Sequence, residues 1–171
     1  MKNYQSFLIM MMLLFITFCA SKPKVMISKN FKTNRAKIAI LPFTTNIKDK
    51  INYSEGDKLI AYCMEMGFTV VERKKIQEIM NELQLELNGT LQDSDINKIG
   101  KILNIDMIIF GHILYGQNNS VTQTIRFVDV ETGEVLISSS YETNIRTNKI
   151  TREMGRAIYK RIKLLYELKA G

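Results

Sequence analysis

Apolar residues recur along this chain at two spacings, and the changes from one to the other mark out its elements. Lys37-Ile-Ala-Ile-Leu-Pro-Phe43 is a short, nearly continuous apolar run ended by a proline, the pattern of a strand buried on both faces. Ser54-Glu55-Gly56-Asp57 offers a capping box for a helix whose Leu59, Ile60, Cys63 and Met66 share one face, and Gly67 is placed to stop it. Phe68-Thr-Val-Val71 reads as a second strand. The next helix carries Ile76, Ile79, Met80 and Leu83 at helical spacing, and Asn88-Gly89 marks a turn. Asp93 and Asp95 offer caps for a further helix with Ile96, Ile99 and Leu103 inward and Gly100 in its middle, where a close helix approach would need a small residue.

Met107-Ile-Ile-Phe110 is again a fully buried strand, closed by Gly111. Thr124 to Val130 alternates, turns through Glu131-Thr-Gly-Glu134 and continues in Val135 to Tyr141, which predicts a hairpin. A last long helix spans about Thr151 to Lys169, with Ile150, Met154, Ile158, Ile162 and Leu165 inward and Arg152, Arg156, Lys160 and Lys163 outward. The predicted order is β-α-β-α-α-β-β-β-α. It describes an α/β domain (α+β mixed) with a central mixed sheet of about five strands, helices packed on the sheet and a long C-terminal helix.

The first residues follow a different rule. Phe7 to Phe18 is unbroken and mostly apolar behind one cation, Lys2, and is shorter than the roughly 20 residues a spanning helix needs. It reads as an export signal over residues 1–18. Cys19 directly behind it resembles the acylated cysteine of bacterial lipoproteins, although Phe18 stands where a small side chain is usual. The alternative is a cut after Ser21, since Cys19-Ala20-Ser21 is small-x-small and would release a soluble periplasmic protein. Between Lys22 and Lys37 there are six cations and no acid, so residues 19–36 read as a basic, flexible tether ahead of a domain over 37–171. Lys22, Lys24, Lys29, Lys32 and Arg35 are its candidate membrane contacts, each worth about 1 kcal/mol at an anionic surface.

Composition narrows the classes. The chain has 171 residues, 46% of them hydrophobic, and a net charge of +7. The excess is diffuse, without aromatic stacking runs or zinc spacing, so a nucleic-acid partner is not expected. His112 is the one histidine and has no partner at catalytic or metal-ligating spacing, so it is expected to be satisfied locally. Ser138-Ser-Ser140 lacks a nucleophile elbow, and no phosphate loop occurs. Cys63 belongs to an apolar helix face and is expected as a core thiol. No catalytic residue, metal ligand or cofactor is predicted, and the chain is not expected to be an enzyme.

Three stretches taken together resemble the CsgG family: Ile38 to Phe43; Val70-Val-Glu-Arg73 running into Ile76 to Leu85; and Ile108-Ile-Phe-Gly-His-Ile113 followed by Ile125 to Leu136 with its Thr-Gly-Glu turn. The resemblance implies an envelope lipoprotein that self-associates into rings and, in the channel-forming member, exports curli subunits through an outer-membrane barrel. Relatives of similar fold activate peptidoglycan synthases or sit near the flagellar base. Leu114 to Ser120 and Thr143 to Lys149 are too short for the family's membrane hairpins, whose strands need roughly 9 to 11 residues each. Only the periplasmic module is therefore expected, in an oligomeric assembly or secretion-associated scaffold. It would be held by lipid on Cys19 to the periplasmic side of the outer membrane, with other envelope proteins as partners. Ala20 in place of an inner-membrane retention aspartate favours that membrane. The alternatives are an activator of a peptidoglycan synthase and a soluble periplasmic ligand-binding module, the latter requiring a deep apolar pocket.

Overall fold

The fold follows from where the apolar runs find cover. The structure is a computed structural model describing residues 22–32, 36–47, 52–83, 93–144 and 149–170. The export segment, Cys19, Arg35 and the Asn88-Gly89 turn lie outside the described residues. In chain order the elements are β1 (Lys24–Ile27), β2 (Lys37–Ile40), β3 (Thr44–Thr45), α1 (Tyr53–Glu65), β4 (Thr69–Val70), α2 (Arg73–Glu82), α3 (Asp93–Leu103), β5 (Met107–Tyr115), β6 (Val121–Asp129), β7 (Val135–Thr143) and α4 (Ile150–Ala170). They build one mixed sheet in the order β1-β7-β6-β5-β2-β4, with β3 continuing the line of β2 along β5. β2 runs parallel to β4 and β5, while β5, β6, β7 and β1 pair antiparallel.

Alternate residues of the central strands feed two cores. Ile38, Ile40, Met107, Ile109, Ile125 and Phe127 point to the face covered by α1 and α4, joining Leu59, Cys63, Met154 and Ile158. Ala39, Leu41, Ile108 and Val128 point the other way, to Ile76, Ile79 and Met80 of α2 and Ile96, Ile99 and Leu103 of α3. β2 and the first half of β5 are thus apolar on both faces, as their unbroken runs predict. Each fully buried isoleucine or leucine contributes about 1.5–3 kcal/mol to this three-layer packing.

Two strands exceed the predicted set. Residues 24–27, expected within a flexible tether, form β1, hydrogen-bonded along β7 from Lys24 opposite Ser140 to Ile27 opposite Ile137. The cause lies in the sequence: Val25 and Ile27 alternate with Lys24 and Met26, and the two apolar residues pack against the α1/α4 core. Phe31 is buried in the same core, its ring edge-on to Phe68. Residues ahead of position 37 therefore belong to the sheet and its core. The second addition, β3, arises because Pro42 interrupts the first strand. The chain resumes opposite His112 and Ile113 after one extra residue, and Phe43 is driven onto Gly111.

Turn chemistry accounts for the boundaries. Gly67 ends α1 at a φ of +87°, a conformation that favours glycine. At the start of α1 the expected capping box is not used: Asn52 is the cap position, its side chain caps no helix N–H, and Ser54 Oγ instead donates to Asn52 Oδ1 at 2.9 Å. Gly100 does permit a close approach, to Val130 beyond the end of β6 and not to another helix.

Candidate functional site

At the outer edge of the sheet β4 is only two residues long and pairs on one side alone. Thr69 N–H and Val71 N–H donate to Ala36 and Ile38 carbonyls of the β2 side, at 3.0 and 2.9 Å. The intervening Val70 therefore turns its backbone outward. Around this edge α1 and α2 leave an open groove of about 770 Å³, lined on one wall by Asp57, Ile60 and Met64 and on the other by Glu72, Arg73 and Gln77. Asp57 and Arg73 form an ion pair across it, and Met64 is 62% exposed at its rim. Such a groove offers apolar contact and backbone hydrogen bonds to a bound segment. Val70 to Arg73, one of the stretches that carry the family resemblance, form much of its wall, which the residue pattern alone did not reveal.

A second open surface lies on the α2/α3 side of the sheet, past the reach of those helices. There the residues run in rows: Met26, Ser138 and Arg126, ending on Phe110, which packs against the α2/α3 core; then Lys24, Ser140, Thr124 and His112; then Glu142, Thr122 and Leu114. His112 is half-buried, and its Nδ1 lies 2.7 Å from Thr44 Oγ1, the local partner expected for it. Of the three serines, Ser139 is buried on the opposite face with its hydroxyl unpartnered, and Ser138 and Ser140 face this open side. The geometry assembles no nucleophile and base from them. Among the described residues no group of three or more His, Cys, Asp or Glu is placed to hold a metal ion, and no helix is long and apolar enough to cross a membrane.

The candidate membrane-contact cations are divided. Lys22 and Lys24 are exposed at the end of the sheet where β1 begins. Lys29 and Lys32 are exposed at the opposite end, beside the β6–β7 turn, where Asn30 Nδ2 donates to Glu134 at 2.9 Å. Lys37 serves the fold: its Nζ donates to the Leu103 carbonyl at the end of α3, at 2.7 Å.

That turn explains the Asp-Val-Glu-Thr-Gly-Glu sequence residue by residue. Asp129 Oδ1 accepts from Glu131 N–H, Thr132 N–H and Thr132 Oγ1 at 3.0, 2.8 and 2.9 Å, and Gly133 takes a φ of +71°. Glu134 then clasps the N-terminal segment, accepting from Asn30 Nδ2 and from Ser28 Oγ at 2.7 Å. The hydrogen bonds from Asn30 and Ser28 hold its carboxyl below the usual carboxylate range.

Beneath α4 a buried polar chain was not foreseen. Gln123 Nε2 donates to Thr151 Oγ1 at 2.7 Å, Thr151 Oγ1 donates to Glu55 Oε2, and Glu55 Oε1 pairs with Lys58. It ties β6, α4 and α1 together. Cys63 is the predicted core thiol, its pKa pushed up to about 12 by burial.

The family described as "Curli production assembly/transport component CsgG" matches residues 19–120. No curated protein gives a significant match. Among solved structures, the C-terminal domain of LpoB from Salmonella enterica superposes with a TM-score of 0.52 at 16% identity, covering 68% of this chain and 87% of that one. Lipoprotein GNA1162 from Neisseria meningitidis gives 0.51 at 19% identity over 75% and 96% of the two chains. A PelC dodecamer from Paraburkholderia phytofirmans gives 0.51 at 9% identity over 83% and 97%. At these identities the likeness shows the fold.

Proposed function

The chain belongs to the CsgG family, and on that premise we propose that it is a non-enzymatic envelope lipoprotein that works by association, as an assembly or secretion-associated scaffold. In this reading residues 1–18 direct export, lipid on Cys19 holds the protein at the periplasmic side of the outer membrane, and the domain contacts other envelope proteins and copies of itself. The observation that carries the reading is the family match, which takes in Cys19 and runs through β5.

Two features favour a scaffold over a pore or a ligand-binding module. The connection from β5 to β6 is a single short turn over Gln117–Asn119, which leaves no room for a membrane hairpin at that point. The surfaces available are an open groove and a bare sheet face, where a ligand-binding module would need an enclosed apolar pocket. A solved protein of this fold is a dodecamer, so the fold is compatible with a closed assembly.

Native mass spectrometry of the protein extracted from membranes tests the reading. The expected species begins at Cys19, carries the mass of its acyl chains and is larger than a monomer. A full-length chain with Met1 intact, recovered from the cytosol as a monomer, would sink it. A soluble species cut after Ser21 would replace the anchored form with a periplasmic one.

A further inference from the structure

We propose that the domain rests against an anionic phospholipid leaflet through the end of the sheet at which β1 enters, with Lys22, Lys24, Ile47 and Leu114 in contact. The inference builds on acylation of Cys19, proposed above, and adds which surface the anchor brings to the lipid.

The first argument is length. Lys24 follows Cys19 by five residues, and an extended chain gains at most about 3.6 Å per residue, so Lys24 stays within roughly 18 Å of the acylated sulfur. Beyond Lys24 no slack remains. β1 is paired to β7, Ser28 and Asn30 are clasped by Glu134, and Phe31 is in the core.

The second argument is direction. Lys24 pairs with Ser140, close to the end of β7 at Thr143; Thr143 pairs with Val121 at the start of β6, and Val121 with Tyr115 at the end of β5. Asn46, just past β3, accepts from Tyr115 N–H at 2.9 Å and donates to its carbonyl at 3.0 Å. These residues therefore share one end of the sheet. From β1 to β3 is four strand spacings, about 19 Å, a width that one leaflet surface can span from Lys24 to Ile47 and Leu114.

The third argument is chemistry. Ile47 is 43% exposed and Leu114 42%, and Lys22 and Lys24 are exposed at the same end. Apolar side chains with interspersed cations are what the headgroup boundary of an anionic membrane takes up. Among the described residues, the strand pairing places one acidic side chain, Glu142, on this face. Lys29 and Lys32, at the far end, are outside the contact. The exposed Leu168 is also excluded, because α4 starts at the membrane end, where Thr151 meets Gln123, and carries Leu168 about 25 Å along its axis.

The chain contains no tryptophan, so single substitutions report without background. The mature acylated protein would carry Ile47→Trp, Leu114→Trp or Leu168→Trp, bound to phosphatidylglycerol-containing vesicles with headgroup-brominated lipid. Expected are a blue shift and quenching several-fold stronger for Ile47→Trp and Leu114→Trp than for Leu168→Trp. Equal quenching at the three positions, or strongest quenching for Leu168→Trp, overturns the inference. Emission from Leu114→Trp that shifts with protein concentration in the absence of vesicles assigns the face to a second copy and also overturns it. Sedimentation with vesicles separates the two claims. If neither the parent nor Cys19→Ser sediments, the anchor itself fails; if the parent sediments and Leu114→Trp stays unquenched, only the orientation fails.

Discussion

Gly111 and Glu134 show how single residues hold this sheet together. The Phe43 ring lies so close above Gly111 that a Cβ there would stand 2.4 Å from its Cε2. The alanine variant must push that ring out of the core. Gly111→Ala is expected to lower stability by roughly 1–3 kcal/mol, the cost of an overpacked core, read from the urea midpoint. Glu134 acts by charge. Its folded-state pKa is depressed, so its contribution is present above the usual carboxylate range and is lost as pH falls through the depressed value. The stability difference between the parent and Glu134→Gln should therefore be constant near neutrality and shrink towards zero in acid, as measured by urea unfolding across pH. A difference that grew in acid would contradict the clasp. Neither role was legible as such in the sequence. Gly111 reads only as the end of a buried run, because the ring above it comes from Phe43, on another strand. Glu134 reads as the close of a hairpin turn, because Ser28 and Asn30 lie more than a hundred residues away.

Among the elements, those announced by long periodic patterns were legible. The inward faces of α2 and α4, the buried runs of β2 and β5 and the β6–β7 hairpin stand where the residue spacing predicts them. β1 was not, because Lys22, Pro23 and Lys24 give it the composition of a tether and only Val25 and Ile27 reveal the alternation. The same cations and proline shield the free side of β1 from pairing with other strands. β3 is too short to carry any periodicity. Glu55 shows how a local rule yields to packing: it looks like part of a capping box, yet its carboxylate accepts from Thr151 of α4. Thr151 in turn satisfies Gln123, and both are buried. Thr151→Val keeps the shape and strands the amide and one carboxylate oxygen. A loss of about 1–3 kcal/mol is expected, together with faster amide exchange in the first turns of α4. Unchanged exchange there would show that the polar chain does not fix the helix.

At the scale of the molecule, three helical and sheet layers enclose two cores, and the exposed features are kept to the rims: the β4 groove, the bare sheet face and the tip of α4. The three-layer arrangement was implied by strands apolar on both sides, whereas the rims were not, since which strand ends an edge is a property of topology and not of any one stretch. The groove wall of Val70 to Arg73 is the clearest case: its residues carried the family resemblance, but only the position of β4 at the margin shows that they border an opening.

The pairing of β1 with β7 also bears on the order of events when the chain is made. A polypeptide that leaves the cytoplasm N-terminus first delivers Lys24–Ile27 ahead of everything it binds, and its partner strand emerges more than a hundred residues later. Closing so distant a pair is entropically slow beside the neighbouring β5-β6-β7 meander. On the proposed export route the leading strand would therefore stay unpaired until the trailing end arrives. Pulse-labelled hydrogen exchange during refolding should find β1 amides protected last; protection of β1 before the meander would reverse this order.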